Sequence, residues 1–249
     1  MKYLLLYSTI HGHTKLIAEA IVEEIGTKDT NAECTVQDIK EFMTHNTLTS
    51  EGVAAMKHYD KVILGATVRY NQFAKEVHQF VRQYYPYLNS IPSAFYVVDV
   101  VACTQHRNTP ETNPHTRRFL RASPWKPTKV AVFAGALHCS EYTFMERTFV
   151  RCIMKLAGEK TDPKTDKVYT DWDSVKAFAQ KMAVAKEDDI PAAQEKFDKV
   201  AQVVAVQERR RRLYNIFAVS VMTGLAATAV GAIVAISNIL TITYLLEYD

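Results

Sequence analysis

The chain opens on an apolar run, "KYLLLYS", and passes at once into "TKLIAEAIVEEIG", where Ile17, Ile21 and Ile25 recur on one face and Gly26 supplies a stop. That pairing predicts a buried strand followed by an amphipathic helix. The pattern then repeats. "ECTVQDI" reads as a weaker second strand, and "YDKVILGAT" as a third, apolar almost throughout as a strand covered on both faces should be. Residues 73–85 place Phe73, Val77, Phe80, Val81 and Tyr84 at helical spacing; "PSAFYVVDVVA" is the fourth strand and "ETNPHTRRFLRA" a helix after a loop. "TKVAVFAGAL" is the fifth strand, and residues 141–157 gather Met145, Phe149, Cys152, Ile153 and Leu156 on one helical face. "TDWD" starts a last helix, with Thr170 and Asp173 spaced as a capping box and Trp172 as its anchor in the core. Such alternation specifies an α/β fold: a five-stranded parallel sheet, doubly wound, with helices on both faces.

The pattern changes near the end. Residues 186–208 turn polar and rich in lysine and glutamate, and "ERRRR" follows. Residues 213–246 then carry no Asp, Glu, Lys or Arg. As one helix they would span about 51 Å, against a hydrocarbon core of about 30 Å. The expected organisation is therefore a catalytic domain over 1–185, a polar and basic stalk over 186–212, and a transmembrane helix over 213–246. Arg209 to Arg212 place the N-terminal domain on the cytoplasmic or mitochondrial-matrix side of a single-pass protein. Ala227, Gly231 and Ala235 repeat at i+4, a surface on which two such helices could pair as a homodimer.

Composition adds exclusions. Hydrophobic content of 48% fits a globular core, and a net charge of +3 points to no nucleic-acid partner. Cys34, Cys103, Cys139 and Cys152 are scattered without a CxxC pair, which reads as reduced thiols and no zinc site. The N-terminus shows no signal-peptide or transit pattern. Arg147, Arg151 and Lys155, and separately Arg117, Arg118 and Arg121, form basic clusters, read as solvated faces or as contacts with anionic lipid.

Candidate chemistry concentrates in "YSTIHGHT", between the first strand and its helix. An ordinary turn, a metal site on His11 and His13, and an anion cradle are the alternatives. In a doubly wound sheet this loop lies at the crevice where ligands bind, beside a helix N-terminus with unpaired N–H groups. Ser8, Thr9 and Thr14 add hydroxyls, Gly12 lets the backbone curl, and Ile10, His11 and His13 complete the loop. GxGxxG and the P-loop lysine are absent, so a flavin mononucleotide suits it better than a dinucleotide or a triphosphate. No carboxylate or cysteine clusters nearby to support a metal. By the same rule the loops after strands 3 and 4 should flank the flavin ring: Ala66, Thr67, Val68, Arg69 and Tyr70, then Val98, Asp99, Val100, Val101, Ala102 and Cys103. Arg69 is the catalytic candidate, to stabilise charge on reduced flavin or to pair with a substrate carboxylate, against a surface arginine packed over Tyr70. His106 and Arg107 lie in a long loop that could close over substrate.

"YSTIHGHT" resembles the phosphate loop of flavodoxins. "GATVRY", "IPSAFYVVDVVA", "TPETN", "FAGAL", "IMKLAGEKTD" and "VYTDWDSVKAFA" are, in this order, similar to the quinone-dependent protoporphyrinogen IX dehydrogenases. The resemblance covers residues 1–185. His11 departs from it, standing where flavodoxins usually carry a threonine on the phosphate. It implies a flavodoxin-like fold, FMN as cofactor, protoporphyrinogen IX as substrate and a membrane quinone, menaquinone or ubiquinone, as acceptor. Six electrons would leave the substrate in three two-electron rounds. A lipid bilayer is the remaining partner, and the membrane would be mitochondrial if the source is eukaryotic. Two other functions compete. A membrane-tethered electron carrier fits the basic balance poorly, since flavodoxins are typically acidic. An NAD(P)H:quinone reductase would need a nicotinamide site that the sequence does not display.

Overall fold

The structure, a computed structural model, describes residues 1–45, 56–137, 167–199, 209–210 and 212–216. Five parallel strands, β1 (Lys2–Ser8), β2 (Glu33–Asp38), β3 (Lys61–Thr67), β4 (Ser93–Val98) and β5 (Lys129–Phe133), form one sheet. Their order is β2-β1-β3-β4-β5. This is the flavodoxin-like arrangement, which reverses direction between β1 and β3 and opens a crevice there. Among the described residues, the helices that accompany the sheet in the first 185 positions are α1 (His13–Lys28), α2 (Ile39–His45), α3 (Lys75–Leu88), α4 (Pro114–Ala122) and α5 (Trp172–Ala183).

The period of two sorts the strand residues onto two cores. Tyr3, Leu5, Ile63, Ala94, Tyr96, Val98 and Phe133 share one face with Ile17, Ile21 and Ile25 of α1 and Val175, Phe178 and Met182 of α5, all buried. The other face is aromatic. Phe95 meets Phe73, Phe119 and Trp125 at ring separations of 5.7, 4.9 and 5.7 Å, and Phe42 of α2 meets Phe80 and Tyr84 of α3. Trp125 is fully buried and donates its indole N–H to Ser93 Oγ at 2.9 Å.

At the edge of the sheet away from the crevice, Lys61 is 2% exposed. Its Nζ donates to the carbonyls of Met182 (3.0 Å) and Ala183 (2.7 Å), filling acceptors that the end of α5 leaves open. Burial lowers its pKa, partly offset by Asp29, Asp60 and Asp189.

Several boundaries differ from the sequence expectation. Gly26 lies inside α1, where nothing would come within 4 Å of an added Cβ, and the helix runs on to Lys28. The fourth strand ends at Val98 because the Asp99 carboxylate accepts from Val101 N–H and starts a 3-10 turn, Val100–Cys103. The "FAGAL" stretch leaves the sheet after Phe133; Ala136–Leu137 (β6) pairs antiparallel with Lys167–Val168 (β7). Thr170 is not a cap. Asp171 caps α5 by accepting from Asp173 and Ser174 N–H, and the Ser174 hydroxyl, then the Ser174 N–H, lowers its pKa. Trp172 is 39% exposed rather than in the core.

The chain divides into two compact units, Met1–Glu195 and Lys196–Asp249. The start of the expected stalk belongs to the first: residues 189–195 are helical, Ile190 is buried, and Gln194 Nε2 donates to Asn89 O. In the second unit, residues 212–216 are helical. No helix among the described residues is long and apolar enough to cross a membrane. Beyond Ile216 the expected span 213–246 lies outside the described residues, as do the helix expected at 141–157 with Arg147, Arg151 and Lys155, and Cys139 and Cys152.

Candidate functional site

Strand register brings three loops to one edge. Ser8 of β1 pairs with Ala66 of β3, and Thr67 of β3 with Val98 of β4, so these strands end together. The loop Thr9–Gly12 leads into α1. Gly12 is its N-cap, at φ 79°, a conformation that favours glycine. It offers no side-chain cap, and the first turn of α1 holds no acidic residue. Among the described long helices this combination belongs to α1 alone: α3 carries Glu76 in its first turn, α4 is capped by Asn113 and α5 by Asp171. A helix start of this kind, flanked by Ser8 and Thr14, both buried, and by half-buried Thr9, fits a phosphate. Ile10 and His11 are exposed at the lip. His13 is turned into the fold: its Nε2 meets Thr170 Oγ1 at 2.6 Å, and that hydroxyl donates to Ala134 O, so the imidazole is the donor. Its ring also packs edge-on against Trp172 at 6.1 Å.

A buried tyrosine holds this loop to the sheet. Tyr96 of β4 pairs with Gly65 of β3, and its hydroxyl donates to Thr14 O in the first turn of α1 at 2.9 Å. Its ring crosses Gly65 so closely that an added Cβ would lie 1.9 Å from Cζ. Burial, with a smaller contribution from Tyr7, pushes the Tyr96 hydroxyl far above the ordinary phenol range, so it stays a donor.

The second loop is a tight reversal after β3. Arg69 and Gln72 exchange both backbone hydrogen bonds, at 2.9 and 3.0 Å, around Tyr70 (φ 48°) and Asn71 (φ 63°). Two successive left-handed residues make a turn of the I′ kind, a conformation that Asn71 tolerates and that is unusual for Tyr70. Tyr70 is 71% exposed, with the Arg69 guanidinium 5.0 Å from its ring centre. Ala66 is buried, and Thr67 and Val68 are half-buried.

The third loop supplies the support. Asp99 is 4% exposed, and its carboxylate accepts from Val101 N–H (3.1 Å), Asn113 Nδ2 (2.9 Å) and His115 Nδ1 (2.6 Å). Asn113 Oδ1 in turn caps α4, accepting from the N–H of His115 and Thr116 and from Thr116 Oγ1. The far side of the His115 ring, Nε2, faces Asn71 Oδ1 at 3.0 Å. Nδ1 donates to the carboxylate, and Nε2 pairs with the Asn71 amide, whose oxygen or, turned over, nitrogen can face it. Arg118, one turn along α4, donates to Asn71 O. Val98 and Ala102 are buried, while Val100, Val101 and Cys103 are half-buried.

Every site residue expected from the sequence thus falls on this edge, but two serve the scaffold: Asp99 and His13 direct their side chains to chain partners. Gly65, Asn71, Tyr96, Asn113 and His115 were not singled out by the sequence reading. Asn113 followed by Pro114 is a legible helix start. The others owe their role to contacts between distant strands and loops.

Residues 4–164 match the family model described as a flavodoxin domain. Over 182 residues the chain is 40% identical to a protein of Leishmania major named protoporphyrinogen IX dehydrogenase (quinone), covering 73% of this chain and 74% of that one. It is 38% identical over 184 residues to a protein of the same name from Escherichia coli, covering 74% and 95%. Among solved structures, a flavodoxin from the domain Archaea overlays with a TM-score of 0.38 at 15% identity, over 74% of this chain and 96% of that one.

Proposed function

The chain belongs to the flavodoxin-domain family and, within it, to the quinone-dependent protoporphyrinogen IX dehydrogenases, and from that premise we propose that it oxidises protoporphyrinogen IX to protoporphyrin IX and delivers the electrons to a membrane quinone. The observation that carries the reading is the identity of 38–40% over 182–184 residues to proteins of that name.

FMN is the flavin that suits the first loop, which offers one anion cradle and no dinucleotide glycine pattern. Bound there, FMN would supply the two-electron redox chemistry that links substrate to quinone. The chain binds and orients. The N–H groups at the start of α1, with the hydroxyls of Ser8, Thr9 and Thr14, hold the phosphate. Thr67 to Tyr70 and Val98 to Cys103 would flank the ring, with the exposed Tyr70 able to lie over it. Arg69 sits at the mouth as a partner for a substrate propionate.

The charge-free stretch 213–246 is a single tilted membrane helix in this reading, keeping the site beside an acceptor dissolved in the bilayer. Arg209 to Arg212 retain the flavin domain on the cytoplasmic or matrix side. Protease protection with a C-terminal tag tests the tail: tag and flavin domain should be digested from opposite sides of intact membranes. Activity is tested with the full chain in quinone-containing vesicles. Protoporphyrin fluorescence should appear only when the quinone is present; formation at equal rates without quinone would refute the acceptor.

A further inference from the structure

We infer that His115 is a positioning residue: oriented by Asp99, it holds Asn71 and so fixes the left-handed Tyr70–Asn71 turn beside the flavin crevice. The bearing on FMN rests on the function proposed above; the hold on the turn does not.

The inference follows from an inventory of bonds. The turn needs two residues with positive φ, and neither is glycine, so the bulky Tyr70 is strained there. Its two backbone bonds, Arg69 to Gln72 and back, close a loop too small to stabilise itself. Asn71 is exposed, so no packing holds it. What grips it comes from α4: His115 Nε2 on the side chain and Arg118 on the carbonyl. Arg118 is an exposed arginine with a flexible stem. His115 is different in kind, being 9% exposed, with Nδ1 held at 2.6 Å by a carboxylate that two further donors fix in place. The ring therefore has one orientation, and Nε2 one direction. The charged groups on the elements that meet at the ring are Asp99 after β4, Arg107 in the loop whose carbonyl takes Asn113 Nδ2, Arg117 and Arg118 on α4, and Arg69 in the turn. Either protonation state of the ring keeps the contact, since the Asn71 amide presents an acceptor or, reversed, a donor.

The test is a double-mutant comparison on the full chain. His115→Ala should raise hydrogen exchange across residues 69–72 about tenfold, the equivalent of one lost hydrogen bond. In an Asn71→Gly background the same substitution should change exchange less than about twofold, because glycine takes positive φ without a side chain to be held. His115→Gln, which can reach Asn71 with an amide, should recover part of the protection and guards against a folding failure of the alanine variant. FMN titration gives the second readout: His115→Ala should weaken binding severalfold in the parental background only. Equal effects of His115→Ala in both backgrounds would show a general role in α4 and overturn the inference. Unchanged exchange at 69–72 would overturn it as well. A parental chain that binds no FMN would overturn the function reading instead, leaving the exchange data to decide the positioning role.

Discussion

Gly65→Ala adds one methyl to β3, and its consequence can be worked through the Tyr96 ring. The new Cβ would lie 1.9 Å from Tyr96 Cζ and 2.2 Å from its hydroxyl oxygen, distances no real contact shows. The ring has nowhere to go: it packs against Phe133 and Phe178 at 6.0 and 6.3 Å, and its hydroxyl is tied to Thr14 O. Overpacking of this kind costs about 1–3 kcal/mol. Swinging the ring aside also orphans a fully buried hydroxyl, for about another 1–3 kcal/mol. The sum, about 2–6 kcal/mol, is a large part of a typical domain's stability. It corresponds to a melting temperature lower by roughly 5–20 °C for a domain of this size. Gly26→Ala is the control. That glycine lies inside α1 with nothing within 4 Å of the added methyl, so the same substitution should stabilise by about 0.5–1 kcal/mol. Urea unfolding followed by circular dichroism measures both. If Gly65→Ala unfolds within about 1 kcal/mol of the parent, the close approach of Tyr96 to β3 is wrong.

Thr14→Val should weaken FMN binding by about 1–3 kcal/mol by removing a phosphate donor, as read by fluorescence titration; unchanged affinity would remove Thr14 from the cradle. Arg69→Ala should slow porphyrinogen oxidation more than it weakens FMN binding, and equal losses would return Arg69 to a surface role stacked on Tyr70. The Tyr3 hydroxyl is buried with no hydrogen-bond partner among the described residues, and burial, then Asp29, pushes its pKa up from 10.0 to about 12. A raised folded-state value means that its contribution is full below pH 10 and lost as pH rises toward about 12. Tyr3→Phe should therefore stabilise the protein by about 1 kcal/mol at neutral pH and flatten the loss of stability above pH 10 in alkaline titrations.

The order of strands and helices was legible because each alternation is local: apolar runs for covered strands, and Ile17, Ile21, Ile25 or Val77, Phe80, Tyr84 for helix faces. The crevice loops followed from topology, which places Thr9–Gly12, Arg69 and Asp99 at strand ends without knowledge of side-chain direction. Direction was what local pattern could not carry. Asp99 reads as a crevice residue by position, but a carboxylate with three donors around it is an internal strut. Its partners Asn113 and His115 lie 14 and 16 residues away. His13, in a loop of hydroxyls, reads as a ligand group, yet its partner Thr170 is 157 residues distant. Trp172 reads as a core anchor from its size, but at the first position of α5 it covers the buried His13 edge-on and stays 39% exposed. Gly65 inside an apolar strand is the signal most open to earlier use, since a glycine there often marks a close approach.

The central claim is that the crevice passes electrons from protoporphyrinogen IX to a quinone. Anaerobic mixing of the FMN-loaded full chain with protoporphyrinogen IX, and separately with NADPH, tests it most directly by following flavin absorbance. Bleaching by the porphyrinogen, none by NADPH, and recovery of the oxidised spectrum on adding a quinone is the predicted result. Bleaching by NADPH with no response to protoporphyrinogen would contradict the claim.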